Sequence, residues 1–309
     1  YPAMKQAGYA ERFNLGLITS SGSLGLLFPP SIALILYGVI AQQMDLEQSV
    51  AIDELFIAGL LPGLLMLAML VSWSMYKSVG DRIPTTDFDF NKLVFAVKKS
   101  IWEIPLPIVL IGGIYSGYFA VSEAAAVAVL YVLVVNVFIL REVSLKQLPE
   151  IMRESMVLVG GVLIILGVSL ASTNYLIDAE IPSKLFDFIR EHIDSKLTFL
   201  MLLNIFLLIL GMMLDVFSAL VLIVPLTLPI ALGYGIHPIH FGIIFLANMQ
   251  IGYFTPPVGM NLFIASYRFN KPITELYYAT IPFMLILFLS VLIITYWPAL
   301  SLSLLEIRP

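Results

Sequence analysis

The sequence predicts an all-α polytopic membrane protein, and three properties of the 309-residue chain support this fold class. The composition is 60% hydrophobic and only 12% charged, whereas soluble domains carry about 25% charged residues. The mean hydropathy is +0.98, and several apolar runs reach the roughly 20 residues that a helix needs to cross a bilayer. A net charge of −5 argues against nucleic-acid binding, and the absence of cysteine excludes disulfides and thiolate metal sites.

Seven long apolar runs, separated by polar breaks, predict the membrane-embedded helices. In chain order these runs are Leu15–Ala41, Leu55–Tyr76, Ile101–Leu140, Ser155–Ile177, Leu197–Leu232, Phe241–Tyr267 and Tyr277–Leu304. The third run is long enough for two crossings with a turn near Gly117 and Tyr118, after which Glu123 is expected to begin a helix. The fifth run is long enough for two crossings or for a re-entrant hairpin. Its expected tip is Gly211–Asp215, where irregular backbone must be buried in protein or line a wet cavity.

Basic residues predict which polar breaks face the cytoplasm. The breaks at 77–100 and 141–154 together hold eight Lys and Arg residues, whereas the break at 42–54 holds none and carries four acidic residues. Extending this alternation along the chain places 12 basic residues inside and 4 outside. The N-terminal polar segment and the loop at 268–271 are then expected inside, and the loop at 178–196 outside.

Two segments of the chain resemble each other at a constant offset of 227 residues. The matching pairs are Pro2 and Pro229, Gly8 and Gly235, Gly25 and Gly252, Pro29 and Pro256, and Pro30 and Pro257. By the charge argument, the first segment runs from inside to outside and the second from outside to inside. This pattern indicates an inverted repeat, which many secondary transporters use to alternate access to one central site. The alternative is coincidence, because Gly and Pro are both common in membrane helices.

The consecutive prolines in each segment predict an interrupted helix at membrane depth. Proline lacks an N–H, clashes with the preceding turn and keeps its predecessor out of the α region. Residues 25–28 and 252–255 are therefore expected to lose their helical partners and to leave carbonyl oxygens free. Free carbonyls in hydrocarbon must be satisfied, and Na⁺ is a hard cation that binds such oxygens. A plain proline kink, satisfied by a neighbouring Ser or by water, is the alternative.

Asp215 is the only ionisable residue near the middle of a long apolar run. Inserting an acidic side chain at membrane depth costs a few kcal/mol on insertion scales. Asp215 is therefore a candidate functional residue. The alternative is that Asp215 caps the half-helix that follows it, since Asp is a strong N-cap. Capping does not exclude a second role.

Seven motifs make the chain resemble the large membrane subunit of tripartite ATP-independent periplasmic (TRAP) transporters, the DctM-like or SiaM-like family. They are Gly22–Ser31, Leu61–Gly63, Ile114–Gly117, Ser122–Ala126, Gly211–Asp215, His240–Gly242 and Ile251–Gly259. The resemblance covers the whole chain. It implies an inverted-repeat, elevator-type importer of an organic acid, coupled to Na⁺ and multi-pass in the bacterial inner membrane, rather than an enzyme.

The resemblance also implies partners and a substrate class. The expected partners are a small membrane subunit (DctQ-like) and a periplasmic substrate-binding protein (DctP-like), with no nucleic acid. The expected substrate is a carboxylate such as a sialic acid or a C4-dicarboxylate, and Na⁺ is the coupling ion. No catalytic residue or bound organic cofactor is expected.

Carried onto this sequence, the family's sodium sites predict two clusters. One consists of Gly211, Gly252, Thr255 and Val258, and its symmetry mate consists of Gly25, Phe28 and Ser31 with the tip of a first hairpin. That first hairpin is expected before Tyr1, so the chain is expected to lack an N-terminal part. The predicted substrate residues are Asp215, Ser23 and Pro257. Half-helix N-termini at Asp215 and after Pro257 offer positive dipole ends to a carboxylate.

The family pattern predicts four regions. They are residues 1–50 as the end of the first repeat, 51–196 as scaffold helices, 197–275 as the second re-entrant hairpin and broken helix, and 276–309 as a C-terminal scaffold helix. Two other functions stay open at this stage. One is a proton-coupled carrier or a channel of similar topology, and the other is the membrane subunit of a sodium-pumping decarboxylase.

Overall fold

A computed structural model describes residues 1–44, 46, 48–80, 89–116 and 118–306, in which helices are joined by turns and irregular segments and no strand is present. The chain divides into two compact units, Tyr1–Pro84 with Val168–Pro309, and Thr85–Gly167. The charged residues Asp45, Glu47, Arg82 and Arg308, which were used to predict the sides of the membrane, lie outside the described residues. Gly117, at the predicted turn of the third apolar run, also lies outside them.

The helices of the first part of the chain are α1 (Pro2–Gln6), α2 (Glu11–Ser21), a 3₁₀ turn (Leu24–Leu27), α3 (Ile32–Gln43) and α4 (Ile52–Gly80). Then come α5 (Phe90–Lys99), α6 (Pro105–Tyr115), α7 (Val121–Leu133), a π-helical stretch (Val134–Ile139) and α8 (Leu148–Asp178). The remaining helices are α9 (Ile181–His192), α10 (Lys196–Met213), α11 (Val216–Gly233), α12 (Pro238–Gly252), α13 (Met260–Phe269), α14 (Ile273–Tyr296) and α15 (Ala299–Glu306).

Within the described residues, four helices are long and apolar enough to cross a membrane, namely α4, α10, α11 and α14. The pair formed by α2 with its 3₁₀ turn and α3 passes the same test as a fifth, broken span with a bend of 40°. The predicted span Ser155–Ile177 lies inside the single 31-residue helix α8. The prediction of an all-α polytopic membrane protein is confirmed.

The third apolar run differs in part from the prediction. It is interrupted between α6 and α7, as expected, and the Glu123 carboxylate accepts a hydrogen bond from the Ala120 N–H at 2.9 Å, as a helix-start residue should. However, α6 has only 11 residues, which is about 16 Å of helix and too short for a hydrocarbon core of about 30 Å. The reason is that Pro105 is at the start of α6 and residues 100–104 form turns rather than helix.

The centre of the first unit is α12. All 15 of its residues are buried, including Asn248 and Gln250. Its neighbours are α10, α3, α4, α11, α14 and α15. A helix that is apolar nearly all round is stable only when other helices enclose it, so the few polar side chains of α12 must find partners inside the protein.

Candidate functional site

The two repeated segments lie antiparallel. The Tyr1 ring, at the start of the first segment, contacts the Phe269 ring at the end of the second, with ring centroids 4.9 Å apart. At the other extremity the Tyr37 hydroxyl, in α3, donates to the carbonyl oxygen of Pro238 at the start of α12, at 2.5 Å. The beginning of each segment therefore lies beside the end of the other, as the charge pattern predicted.

The midpoints of the two segments meet at Ser23 and Gln250, which are equivalent positions at the offset of 227. The Ser23 hydroxyl donates to the Gln250 carbonyl at 2.9 Å, and the Gln250 side-chain amide donates to the carbonyls of Ser23 at 2.8 Å and Leu24 at 2.9 Å. Reciprocal bonds between equivalent residues are what a two-fold axis through this point produces. The hydroxyl of Ser23, a predicted substrate residue, is thus bonded to the other segment, and its role toward a substrate stays a prediction.

Both segments are interrupted where the consecutive prolines predicted a break. In the first, α2 ends at Ser21 and α3 begins at Ile32, and in the second α12 ends at Gly252 and α13 begins at Met260. The Pro29–Pro30 and Pro256–Pro257 peptide bonds are both cis.

The carbonyl oxygens at the breaks are more fully hydrogen-bonded than predicted. The oxygens of Gly25, Leu26, Gly252 and Tyr253 accept bonds from the Phe28 N–H, the Ser31 hydroxyl, the Thr255 N–H and the Asn261 N–H, at 3.2, 2.6, 3.1 and 2.8 Å respectively. The prediction that these four are free is wrong, because short turns and side-chain caps supply local donors. Among the described residues, no hydrogen bond reaches the carbonyls of Phe28 and Thr255, which are equivalent at the offset of 227.

Helices α10 and α11 form the predicted hairpin, with its turn at Leu214 and Asp215. At its base the Lys196 ammonium donates to the Gly235 carbonyl at 2.8 Å. At its tip the Val216 N–H donates to the Tyr253 hydroxyl at 2.6 Å, beside the second break. The hairpin thus turns back at the level of the break, halfway along the repeated segment. Both arms are long and apolar enough to cross a membrane, and the re-entrant form stays a prediction.

Gly211 and Gly252, both predicted for one cation site, are in direct backbone contact. A Cβ atom on Gly252 would lie 2.5 Å from the Cα and carbonyl carbon of Gly211, and one on Gly211 would lie 3.0 Å from the Gly252 Cα. Backbone atoms cannot rotate away as a side chain can, so only glycine at position 252 allows this approach. The structure brings these two predicted residues together, and their role toward a cation stays a prediction.

Thr255 lies one turn beyond this contact and is buried. Its hydroxyl donates to the Ile251 carbonyl at 2.7 Å, which uses the one hydroxyl hydrogen and leaves the oxygen lone pairs to accept or to bind a cation. Gly259 packs closely against it, since a Cβ there would lie 2.9 Å from the Thr255 carbonyl oxygen. Val258 is 43% exposed, and its predicted role as a ligand stays a prediction.

The symmetry-related cluster is arranged differently. Ser31 caps α3, because its oxygen accepts from the Leu34 N–H at 3.3 Å while its hydroxyl donates to Leu26. The Phe28 ring packs on Gly63 of α4, where a Cβ would lie 2.9 Å from the ring. Gly25 is exposed, and no atom of the described residues lies within 4 Å of where its Cβ would be. The structure therefore brings Ser31 and Phe28 to the break and leaves Gly25 open.

Asp215 is the N-cap of α11. One carboxylate oxygen accepts from the Phe217 and Ser218 N–H groups, both at 3.0 Å, and the other accepts from the Ser218 hydroxyl at 2.6 Å. The capping alternative is thereby confirmed. Together with the bond from Val216 to Tyr253, it occupies the first three N–H groups of α11. A substrate carboxylate can therefore interact there with the helix dipole but not with these N–H groups.

At the other predicted dipole end, the Pro257 carbonyl accepts a hydrogen bond from the Tyr277 hydroxyl. The role of Pro257 toward a substrate stays a prediction.

Sequence reasoning missed a buried polar cluster that joins four helices. The side-chain oxygen of Asn204 (Oδ1), in α10, accepts from the Asn248 side-chain amide of α12 at 2.6 Å and from the Thr295 hydroxyl of α14 at 3.1 Å. His240 of α12 contacts the Ser301 hydroxyl of α15 at 3.1 Å. The available signal was the presence of single polar residues within apolar runs, which in membrane helices pair across helix interfaces.

Comparison with known proteins gives matches over nearly the whole chain. The family model described as "Tripartite ATP-independent periplasmic transporter, DctM component" matches residues 1–300. The chain is 34% identical over 302 residues to the C4-dicarboxylate TRAP transporter large permease protein DctM of Pseudomonas aeruginosa, covering 97% of this chain and 69% of that protein.

The names of two further relatives include other substrates. The sialic acid TRAP transporter permease protein SiaT of Haemophilus influenzae is 34% identical over 299 residues, which cover 96% of this chain and 47% of SiaT. The isethionate TRAP transporter permease protein DctMQ of Oleidesulfovibrio alaskensis is 32% identical over 303 residues, which cover 97% of this chain and 47% of DctMQ. The chain thus spans about half the length of these two relatives.

Proposed function

Because this chain belongs to the DctM component family of tripartite ATP-independent periplasmic (TRAP) transporters, we propose that it forms part of a Na⁺-coupled importer of an organic acid. The observation that best supports the proposed coupling to Na⁺ is the contact between Gly211 and Gly252 beside Thr255. There a hairpin tip and a helix break present a hydroxyl oxygen and a carbonyl oxygen at the middle of the repeat. Neutral oxygens of this kind suit a hard monovalent cation.

The described residues hold no group of three or more His, Cys, Asp or Glu side chains placed to bind a metal ion. The proposed ion therefore binds to backbone and hydroxyl oxygens. Each Na⁺ that moves inward through 100 mV yields about 2.3 kcal/mol, so two ions support the uphill import of a monoanion.

The proposed transport cycle uses the antiparallel repeats. Na⁺ and the acid bind at the hairpin tip and the helix breaks, and this body then moves past the scaffold helices in an elevator motion. The dipole of α11 favours an anion near its N-terminus, while Asp215 holds that terminus in place. Binding both charges together lowers the cost of carrying either across the apolar layer.

The proposed substrate is an organic anion, and no particular anion of this class is proposed. The relatives' names include a C4-dicarboxylate, sialic acid and isethionate at 32–34% identity, and isethionate is a sulfonate rather than a carboxylate. We expect a periplasmic binding protein to deliver the substrate and a small membrane subunit to complete the complex. The combined name DctMQ supports the second partner.

Uptake by proteoliposomes containing the full-length protein and both partner subunits tests this function. We expect a labelled acid that the binding protein recognises to accumulate above its external concentration under an inward Na⁺ gradient. Accumulation driven only by an inward proton gradient would indicate a proton-coupled carrier, and equilibration without accumulation would indicate a channel. Either of these results would contradict the proposal.

A further inference from the structure

Helix α5 exposes an apolar face that the proposed transport site does not explain. Phe90, Leu93 and Val97 follow one another at intervals of three and four residues, so they lie on one face of the helix. Their side chains are 66%, 45% and 47% exposed, and α5 contains no buried residue. Three large apolar side chains in one exposed row indicate a surface that lipid or another molecule covers.

The same helix is well defined and positively charged. The Asp89 carboxylate caps its start, since it accepts from the Asn91 N–H at 2.9 Å and from the Lys92 N–H at 3.4 Å. The ten residues of α5 include three lysines and no acidic residue. Lys98 and Lys99 are in the last turn, where they also stabilise the helix dipole. That effect does not require an apolar face.

The lysines of α5 have little compensation from acidic side chains. The Lys92 ammonium lies 4.0 Å from the Asp89 carboxylate, and its side chain is 82% exposed, so this pair is weak. No described residue forms an ion pair with Lys98 or Lys99. Lys98 follows Val94 by four residues and therefore borders the apolar face, whereas Lys99 and Lys92 are seven residues apart and share the opposite face.

The length of α5 indicates that it lies on a membrane rather than across it. Ten residues make about 15 Å of helix, which is half of a hydrocarbon core of about 30 Å. A short helix with an apolar face and a basic face lies in the plane of the interface and is attracted by anionic lipids. The basic residues of the break at 77–100 predict the cytoplasmic side, where the leaflet is anionic.

The turn that follows α5 has side chains typical of the same interface. Ile101 and Trp102 are both exposed, and Trp is enriched at the boundary between membrane and water. The Trp102 carbonyl accepts from the Tyr131 hydroxyl of α7 at 2.8 Å, which attaches the end of α5 to an apolar helix of the same unit. The next acidic residue along the chain, Glu103, is exposed and forms no ion pair within the described residues.

We propose that α5 lies along the cytoplasmic surface of the membrane and binds anionic phospholipids. Phe90, Leu93 and Val97 enter the boundary between headgroups and acyl chains, and the Lys98 ammonium binds the phosphate of an anionic headgroup. Lys99 is on the opposite face and points toward water. The occupant is a lipid surface because its negative charge complements a helix with three cations and no acid. This interaction uses no residue of the proposed transport site.

Fluorescence quenching by brominated phospholipids tests this surface. The full-length protein, with a single labelled cysteine, is reconstituted in equimolar phosphatidylcholine and phosphatidylglycerol, with bromine on the acyl chains of one lipid or the other. A label at Val97→Cys should be quenched about twofold or more strongly than one at Lys92→Cys, on the opposite face. Brominated phosphatidylglycerol should quench the label at position 97 more than brominated phosphatidylcholine does.

The neighbouring lysines provide a matched pair of variants. The preference for phosphatidylglycerol should vanish in Lys98→Gln and persist in Lys99→Gln, because only Lys98 borders the apolar face. If the label at Val97→Cys prevents folding, Phe90→Cys reports on the same face.

Three results would overturn the proposal. The absence of quenching at position 97, or equal quenching at positions 97 and 92, would show that another protein or water covers the apolar face. Equal quenching by the two brominated lipids would show that α5 does not select the anionic headgroup. An equal loss of preference in Lys98→Gln and Lys99→Gln would show a general effect of surface charge.

Discussion

Thr255 is the residue whose local geometry best explains the proposed ion coupling. The proline pair that follows it removes the N–H groups that would otherwise bond to Gly252 and Tyr253, and other donors replace them. The Thr255 carbonyl receives no hydrogen bond from the described residues, and its hydroxyl hydrogen is fixed toward Ile251. Two oxygens of one buried residue thus keep lone pairs that no hydrogen bond from the described residues uses.

Replacing Thr255 by Ala should raise the Na⁺ concentration for half-maximal uptake about tenfold or more. The loss of one oxygen bound to a charged partner costs about 1.5–3 kcal/mol, and 1.4 kcal/mol corresponds to a factor of ten. Thr255→Ser keeps the hydroxyl and should stay close to the wild type. Thr280→Ala is the control, because Thr280 is also buried and makes the same bond to the carbonyl four residues earlier. Unchanged sodium dependence in Thr255→Ala would remove Thr255 from the ion site.

Asp215→Asn should separate the charge of Asp215 from its capping role. Asn is as good an N-cap as Asp, so the melting temperature should change little, whereas Asp215→Ala should lower the free energy of unfolding by about 1 kcal/mol. If the negative charge serves transport, Asp215→Asn weakens Na⁺-dependent uptake although the protein stays folded. Uptake equal to wild type in Asp215→Asn would show that capping is the whole role of this residue.

Some residue roles were readable from the sequence and others were not. Asp215 stood out because an acid within an apolar run is rare, and both its proposed roles followed from that position. Gln250 did not stand out, since its importance depends on Ser23 and Leu24, whose carbonyls it reaches across the repeat interface. A partner 227 residues away leaves no local sequence signal.

At the scale of elements, the contact between the hairpin arm α10 and the broken helix α12 determines where the proposed ion site lies. Gly211 and Gly252 let the two backbones touch, and Val216 bonds to Tyr253 just beyond them. Because the tip is held by backbone contact on one side and by a tyrosine hydroxyl on the other, its position relative to Thr255 is well defined. The packing of α10 against α12 therefore fixes the distance between the hairpin tip and the helix break, which together form the proposed site.

Gly252→Ala should abolish transport by separating these elements. The added Cβ would lie 2.5 Å from backbone atoms of Gly211, and overpacking of this kind typically costs about 1–3 kcal/mol. Gly112→Ala in α6 is the control, since a Cβ there meets no described atom within 4 Å. Uptake by proteoliposomes measures the effect, with the melting temperature as a check on folding. Wild-type uptake by Gly252→Ala would contradict the proposed contact.

The sequence predicted the elements well where the signal was local. Proline pairs marked both breaks, and the glycine and acid at Gly211–Asp215 marked the hairpin tip. The length of α6 was not predictable in the same way, because an apolar run of 40 residues has the same composition whether it forms two full crossings or shorter helices. The hydrogen bonds that satisfy four of the break carbonyls also depend on the three-dimensional arrangement.

At the scale of the whole molecule, the antiparallel repeats support the proposal that one site serves two sides of a membrane. The start of each repeated segment contacts the end of the other, and their midpoints contact each other. A two-fold relation between the segments requires this order of contacts. An inverted repeat has two equivalent arrangements, which is the structural basis of alternating access in many secondary transporters. The charge pattern of the loops predicts the same relation.

Equilibrium binding of ²²Na⁺ to the purified full-length protein tests the central claim most directly. We expect saturable binding that excess unlabelled Na⁺ displaces and choline does not. Thr255→Ala should weaken this binding about tenfold, whereas Thr280→Ala should leave it unchanged. The absence of saturable binding, or equal binding by Thr255→Ala and wild type, would contradict a sodium site at the hairpin tip and the helix break.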